Sequence, residues 1–296
     1  LPSAIDSVLC QTLTDWNLIV VIDGSEDATE EIAMSYAGRD RRIRVIKQTR
    51  RGANLARIRG LSEIGNETTK IAFLDADDVY EPHALDLLSR TLEQNPRASA
   101  AHGLARYIYG HVMPIRESEA ERVGRHRWGL RGILPTQIPA SEHTTFANLA
   151  FYNVIHTFGQ VLIRTEALEK VGGLDPTWPM VADWELWIRL SRAGYIAFVD
   201  SVVLNYRRHE NNMSNHWQLL WNESWKLRRS LIFSSQLSSR ERYIMWTAAA
   251  YYPILTFLRL AADSARQRRF ADACTYLKHF AASYYRMARW VTTARG

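Results

Sequence analysis

Three carboxylates, Asp75, Asp77 and Asp78, lie within four positions directly after the apolar run 71–74. Clustered anions repel one another unless a cation holds them, so this spacing favours a divalent metal site. The alternative is that one of them caps a helix beginning near Pro82, because Asp often serves in caps and turns. If the apolar run is a strand of a parallel sheet, the carboxylates lie at the end where open α/β sheets bind ligands.

The composition is that of a globular chain with a basic C-terminal tail. The 296 residues are 47% hydrophobic, enough for one large domain or two smaller ones. The tail, residues 216–296, holds 13 Lys/Arg against 4 Asp/Glu. Cys10 and Cys274 are too far apart in sequence for a disulfide framework or zinc site, which favours a reducing, cytoplasmic location. The longest uncharged apolar run, 243–258, is too short for a membrane span.

Helical and strand patterns alternate along the chain. Apolar periodicity and turn residues predict strands at 17–22, 43–46, 71–74, 160–164, 196–199 and 202–206, and helices at 53–64, 82–94 and 183–192. This alternation predicts an α/β fold with a parallel, doubly wound sheet. The polar segment 103–160 is rich in Gly and Pro and is too long for an ordinary connection, so it predicts a functional loop.

The tail is predicted to be helical. Its residues Trp217, Trp221 and Trp225 recur every four positions and so share one helix face. Helices at 239–262 and 269–292 then form a hairpin. We expect either simple packing on the preceding α/β part of the chain or contact with an anionic membrane, a lipid-linked molecule or a partner subunit. Nucleic-acid binding is not expected, because no recognised motif occurs and the spacing of the tryptophans suits burial.

Three segments together resemble the family 2 glycosyltransferases of the GT-A fold. They are residues 18–27 (LIVVIDGSED), 71–82 (IAFLDADDVYEP) and 172–190 (GGLDPTWPMVADWELWIRL). The resemblance covers about residues 1–214 and implies a Rossmann-like, mostly parallel sheet flanked by helices. It implies a nucleotide-sugar-binding half at 1–105, an acceptor-binding half at 106–215 and a basic, aromatic helical extension at 216–296.

The resemblance implies transfer of a sugar, with inversion, from a nucleotide-diphosphate donor such as a UDP-sugar to an acceptor hydroxyl. The acceptor would belong to a polysaccharide, a lipid-linked glycan or a glycoconjugate, which places the enzyme in the cytoplasm or at the inner face of the membrane. A divalent cation, Mn²⁺ or Mg²⁺, would neutralise the leaving diphosphate. A sugar nucleotidyltransferase or a non-catalytic GT-A-like scaffold shares this architecture and remains an alternative.

The resemblance also assigns a metal and diphosphate site. Asp77 matches the direct metal ligand, and Asp75 is expected to contact the metal, a bound water or the ribose. His209 is a further candidate ligand, although an exposed histidine often has no role. Of Arg57 and Arg59, which are two apart on a helix, Arg57 fits the position that reaches the diphosphate.

The remaining assignments concern the donor base and the acceptor. Asp23 matches an aspartate that accepts a hydrogen bond from uracil, with capping of the next helix as its alternative, and Ser25 is placed in the same donor site. Asp183 matches the general base that deprotonates the acceptor hydroxyl, and it could also cap its helix. Trp184 is either a wall for a sugar ring or a core residue.

The start of the chain leads to a stability prediction. The family begins with a central strand that carries a nucleotide-binding turn, whereas Leu1 and Pro2 fall in the helix after it. We expect the chain as written to be a fragment, because neighbouring strands would lose backbone partners. A version with this strand restored should melt at a higher temperature in calorimetry and bind the donor more tightly. Equal melting temperatures would contradict the prediction.

Overall fold

A computed structural model describes residues 1–109, 122–123, 127–131 and 134–293. These residues divide into two compact units. The first unit comprises the described parts of residues 1–127, 138–146 and 153–223. The second comprises the described parts of residues 128–137, 147–152 and 224–296. All predicted site residues belong to the first unit.

The described strands are short except for two. They are β1 (Leu18–Asp23), β2 (Ile43–Gln48), β3 (Lys70–Ala72), β4 (Val79–Tyr80), β5 (Ala100–Tyr109), β6 (Arg122–Val123), β7 (Trp128–Arg131), β8 (Leu134–Gln137), β9 (Val161–Arg164) and β10 (Ile196–Arg208). The long strands β5 and β10 pair with each other in parallel. Their carboxyl ends therefore lie at the same edge of the sheet.

The described helices alternate with strands only in the first part of the chain. They are α1 (Pro2–Leu9), α2 (Thr29–Ala37), α3 (Ala53–Leu61), α4 (Ala84–Gln94), α5 (Phe146–Phe151), α6 (Thr165–Lys170), α7 (Ala182–Ala193), α8 (Trp217–Phe233), α9 (Ser239–Pro253), α10 (Arg259–Arg266) and α11 (Phe270–Thr293). The helix predicted from Pro82 begins two residues later, at Ala84. A π-helical turn, Ile254–Leu258, joins α9 to α10.

The sheet is mixed, which corrects the prediction of a mostly parallel one. β1 and β2 form a parallel pair, and the larger sheet has the order β3-β9-β5-β10-β4 with β6 on β5. Among the described strand pairs of this sheet, only the pair of β5 and β10 is parallel, whereas β9 is antiparallel to both β3 and β5. β3, β5 and β10 therefore run in the same direction. β7 and β8 form a separate antiparallel pair. Apolar runs predict strands buried on both faces but do not encode the direction of their neighbours.

Gly103 lies inside β5, where the sequence predicted the start of a loop. A Cβ at Gly103 would lie 2.6 Å from Val203 Cγ1 and 2.8 Å from the carbonyl oxygen of Ser201, so only glycine permits this approach of β5 to β10. β10 is likewise one strand instead of two, with shifts of register between Phe198 and Leu204. Parts of the predicted loop, at 110–121, 124–126 and 132–133, lie outside the described residues.

Among the described residues, two clusters of buried apolar side chains lie in the first unit. One packs Leu88 and Leu92 of α4 against Ala101 of β5 and Val203 and Leu204 of β10. The other joins α1, β1, α2 and β2 through Ile5, Val20, Ile22, Ala33 and Ile43. Both clusters lie beside strands that lead toward predicted site residues, so burial of apolar surface fixes where those strands end.

The second unit contains the predicted helical hairpin, formed by α9, α10 and α11. Trp290 of α11 packs against Trp225 and Trp246, with ring centroids 5.3 and 6.0 Å apart. Of the three tryptophans predicted to share a face, Trp225 is buried whereas Trp217 is exposed. Among the helices of the described residues, none has both the length and the apolar character needed to cross a membrane.

The approach to α7 depends on a buried ion pair. Arg189 donates to the carboxylate of Glu185 over 2.5 and 2.6 Å and to the carbonyl oxygens of Val171 and Gly173 over 2.6 and 2.8 Å. Gly173 has a φ of 73°, in the left-handed region that favours glycine. Arg189 therefore ties the glycine turn to the helix that carries Asp183.

We predict that Arg189→Ala lowers the free energy of unfolding by about 3 kcal/mol, because it leaves the Glu185 carboxylate buried without its cation. Arg90→Ala is the matched control. Arg90 pairs with Asp86 four residues away on an exposed helix face, so its removal should cost about 0.5 kcal/mol or less. Urea denaturation measures both values, and similar losses would contradict the structural role given to Arg189.

Candidate active site

The acidic turn after β3 is fastened to the end of β10. The backbone N–H of Asp78 donates to the carbonyl oxygen of Asp75 over 3.0 Å. Asp78 has no exposed surface, and its Oδ1 accepts a 2.9 Å hydrogen bond from the backbone N–H of Arg207. The Arg207 side chain donates from Nε to the carbonyl oxygen of Asp77 over 2.8 Å. The carboxyl ends of β3 and β10 thus meet at this turn.

Asp78 is a structural carboxyl group. Its pKa is raised to about 8, mainly by burial and also by the negative charges of Asp75 and Asp77, which together outweigh the lowering by the hydrogen bond from Arg207. The group is therefore mainly protonated at neutral pH. A neutral carboxyl group suits a site without solvent better than a carboxylate does.

Asp77 and His209 form a pair of metal-type ligands. Asp77 Oδ2 lies 2.8 Å from His209 Nε2. The backbone N–H of His209 donates to Asn212 Oδ1 over 2.6 Å, and Asn212 in turn donates to the carbonyl oxygen of Arg207 over 3.1 Å. This bonding holds the histidine at the acidic turn.

The described residues include no cluster of three or more His, Cys, Asp or Glu side chains that could hold a metal ion. A carboxylate oxygen and an imidazole nitrogen nevertheless suit Mn²⁺, and Mg²⁺ commonly uses one or two carboxylates with substrate phosphates and water completing its shell. The pair of Asp77 and His209 therefore fits a divalent cation that arrives with a phosphate-bearing ligand.

The Asp75 side chain is paired with Arg57 and not with Asp77 or His209. The Arg57 guanidinium forms an ion pair with the Asp75 carboxylate. It also lies over the ring of Phe158, 4.3 Å from the ring centroid. Phe158 is itself buried and packs against Phe73 and Trp187, with ring centroids 5.3 and 5.4 Å apart. An aromatic support and a carboxylate thus orient the cation predicted to reach a diphosphate.

Asp183 lies in the first turn of α7, where Val181 is the N-cap residue. Its Oδ1 accepts from the backbone N–H of Trp184 over 2.6 Å, and its Oδ2 accepts from Asn153 Nδ2 over 3.1 Å. The pKa of Asp183 is raised to about 6, because burial and, to a smaller extent, the charge of Asp75 raise it by more than the two hydrogen bonds and Arg57 lower it. Asp183 is therefore close enough to Arg57 and Asp75 to feel both charges.

Asp23 anchors the loop that leads into α3. Its Oδ1 accepts from Gln48 Nε2 and from the backbone N–H of Arg51, both over 2.7 Å, and its Oδ2 accepts from the backbone N–H of Gly52 over 2.8 Å. Burial raises the pKa of Asp23, but these hydrogen bonds lower it by more, so the net shift is downward. Asp23 does not cap α2, whose N-cap residue is Ala28.

Two predicted residues lie apart from this arrangement. Ser25 is exposed in the loop after β1. Trp184 is 4% exposed, so its position is that of a core residue and leaves almost no surface for a sugar ring. The structure thus brings together Asp75, Asp77, Asp183, Arg57 and His209, and it links Asp23 to the start of the helix that carries Arg57.

Sequence reasoning missed the residues that hold the predicted ones in place. They are Asn153 beside Asp183, Phe158 beneath Arg57, and Arg207 and Asn212 at the acidic turn. Arg207 and Asn212 had a visible signal, because they stand two residues before and three residues after the candidate ligand His209. Asn153 and Phe158 lie within the stretch that was predicted to be a loop.

Comparison with known proteins gives one family. The family model described as Glycosyl transferase family 2 matches residues 1–172. An uncharacterized glycosyltransferase of Haemophilus influenzae is 26% identical over 225 residues, which cover 75% of this chain and 66% of that protein. The uncharacterized glycosyltransferase EpsJ of Bacillus subtilis is 44% identical over 91 residues, or 31% of this chain and 26% of that protein. The matches thus span about a quarter to two thirds of these relatives.

Solved structures give the same fold. The mannosyltransferase PcManGT of Pyrobaculum calidifontis, in complex with GDP-Man and Mn²⁺, has a TM-score of 0.56 at 15% identity and covers 100% of this chain and 76% of that one. TarS 1–349 of S. aureus, in complex with UDP, has a TM-score of 0.53 at 14% identity and covers 95% of this chain and 87% of that one. The GT-A fold predicted from the sequence is confirmed.

We predict that Asp23→Ala loosens the entry to α3. Three donors lose their acceptor, so the free energy of unfolding should fall by about 2 kcal/mol, and the amides of Arg51 and Gly52 should exchange hydrogen faster. Asp27→Ala in the loop after β1 is the matched control, since Asp27 is exposed and accepts from the backbone N–H of Thr29 but not from the loop before α3. Unchanged exchange at Arg51 and Gly52 in Asp23→Ala would show that Asp23 does not anchor this loop.

Proposed function

The chain belongs to glycosyl transferase family 2, and from this premise we propose that it transfers a sugar from a nucleotide-diphosphate donor to an acceptor hydroxyl with inversion. The observation that carries the proposal is the position of Asp183, a carboxyl group with a raised pKa, within the electrostatic reach of the Arg57–Asp75 pair. A base and a fixed cation are the two groups that such a displacement requires.

Asp183 acts as the general base in this proposal. It accepts the proton of the acceptor hydroxyl as that oxygen bonds to the anomeric carbon, and the bond from this carbon to the diphosphate oxygen breaks on the opposite side. A pKa of about 6 leaves Asp183 ionised at neutral pH yet more basic than an ordinary carboxylate. The hydrogen bond from Asn153 orients the carboxylate.

Arg57 and the acidic turn act on the leaving group. The Arg57 guanidinium, held by Asp75 and Phe158, stabilises the negative charge that develops on the nucleoside diphosphate. Asp77 and His209 are the residues that would hold a divalent cation, which supplies further neutralisation of that charge as a Lewis acid. Mn²⁺ with GDP-Man in PcManGT, a protein of the same fold, supports this assignment.

The donor and the acceptor are proposed from the chemistry of sugar transfer and from proteins of the same fold. We propose a UDP-sugar as the donor, supported by the UDP complex of TarS. We propose that the acceptor hydroxyl belongs to a polysaccharide, a lipid-linked glycan or a glycoconjugate. Two exposed free cysteines, Cys10 and Cys274, suit the reducing cytoplasm where nucleotide sugars would be met.

The direct test is a panel of UDP and GDP sugars, with release of the nucleoside diphosphate measured in the presence of Mn²⁺. We expect release with at least one donor and faster release when an acceptor glycan is added. Absence of release with every donor, from a protein shown to be folded and to bind Mn²⁺, would overturn the proposed function.

We predict that Asp183→Asn lowers kcat by about 10²- to 10⁴-fold, because the base can no longer accept a proton. For the unaltered protein, kcat/KM should fall as the pH drops through about 6, since protonation of Asp183 removes the base. Asp175→Asn is the control, because Asp175 accepts from the backbone N–H of Thr177 in the preceding loop. Undiminished transfer by Asp183→Asn would remove it as the base.

We predict that Asp77→Ala and His209→Ala each weaken Mn²⁺ binding by about tenfold or more, since even changes next to a metal ligand cost that much. Electron paramagnetic resonance of Mn²⁺ titrated with UDP present measures this without reference to activity. His83→Ala is the control, because the exposed His83 contacts Thr12. Equal Mn²⁺ affinity in all three variants would exclude this pair as the metal site.

A further inference from the structure

Helix α11 of the second unit carries exposed apolar residues beside the side that packs inward. Its inward side includes the buried residues Ala273, Met287 and Trp290. Phe270, Leu277 and Tyr285 lie outside that side and are 65%, 48% and 66% exposed. An amphipathic surface helix normally turns its large apolar residues toward the core and its polar residues toward solvent. Exposed apolar residues that form a continuous patch instead mark a surface for interaction.

The exposed side forms one continuous stripe. We define the outer stripe as five exposed residues of α11, which are Phe270, Cys274, Leu277, Ala281 and Tyr285. They are spaced by four, three, four and four positions, which places them within a sector of about 80° along roughly 22 Å of helix. Such a stripe matches a flat apolar surface or another helix better than a small ligand.

Positively charged residues lie along one edge of the outer stripe and in the turn before it. Lys278 and Arg289 are exposed along one edge of it, and the turn at 266–269 that precedes α11 contains three arginines. Residues 224–293 as a whole hold 12 Lys/Arg against 3 Asp/Glu, a net charge of +9. The partner of the stripe should accordingly be negatively charged.

We propose that the outer stripe docks the protein onto a membrane surface that contains anionic lipid, with α11 lying in the plane of the interface. Amphipathic helices with aromatic and aliphatic residues on one face and Lys/Arg beside them bind in this way. Lys and Arg near an anionic surface add electrostatic attraction to the apolar contact. Two copies packed through the stripe would instead bring two positively charged surfaces together. The proposal goes beyond sugar transfer and does not depend on it.

The two cysteines allow a direct test with a matched control. Cys274 lies in the outer stripe, and Cys10 is exposed at the end of α1 in the first unit. An environment-sensitive fluorophore is attached to Cys274 in Cys10→Ser and to Cys10 in Cys274→Ser. With vesicles of equimolar phosphatidylcholine and phosphatidylglycerol, we expect a blue shift and a severalfold rise in emission at Cys274 but not at Cys10. Vesicles of phosphatidylcholine alone should give little change.

A second measurement separates apolar insertion from simple charge attraction. Leu277→Glu and Thr275→Glu add the same charge to α11, but Thr275 lies about 120° from the centre of the outer stripe. We expect Leu277→Glu to reduce co-sedimentation with the anionic vesicles about tenfold more than Thr275→Glu does. Circular dichroism checks that both variants stay folded. Equal losses would mean that charge alone binds the vesicles and would overturn the role of the stripe.

Self-association is the competing outcome. Light scattering would then report a dimer that Leu277→Glu dissociates, and the fluorophore at Cys274 would respond to protein concentration but not to vesicles. That result would overturn docking on lipid. A monomer whose label responds only to anionic vesicles would establish it.

Discussion

One buried carboxyl group sets the geometry on which the candidate site depends. Asp78 has no exposed surface, and one of its two carboxyl oxygens, Oδ1, accepts a hydrogen bond from the backbone N–H of Arg207. This bond joins the end of β3 to the end of β10. Because His209 follows Arg207 by two residues, the same bond places Asp77 beside His209. The two proposed metal ligands, which come from distant parts of the sequence, are thus positioned by a neighbouring carboxyl group that is not one of them.

The sequence predicted those parts of the fold that depend on local pattern. The apolar runs of β1 and β2 and the helices α3 and α7 appear close to their predicted positions. The direction of strand pairing could not be predicted, since it arises from contacts between distant segments. Gly103 was misleading because glycine is typical of turns, whereas here it allows two backbones to approach in the middle of a strand.

The candidate site likewise contains residues that local sequence pattern predicts and residues that depend on contacts between distant segments. Asp75, Asp77 and Asp183 carry signals in their neighbouring residues, whereas Asn153 and Phe158 act only through the places to which the fold brings them. Asp23 illustrates why roles are harder to predict than positions. Its hydrogen-bond donors lie 25 to 29 residues away in sequence, so the alternative of capping the next helix did not describe its observed contacts, whereas binding of the sugar donor stays a prediction.

The support beneath Arg57 has a consequence for which substitutions the chain tolerates. A guanidinium is planar, so it can lie flat on Phe158 and present its edge to Asp75 at the same time. The ammonium of a lysine carries the same charge but has no flat face to stack and no fork of donors. Natural variants should therefore not carry lysine in place of Arg57, although lysine has the same charge. Where Arg57 is replaced, the aromatic residue Phe158 below it should be replaced as well.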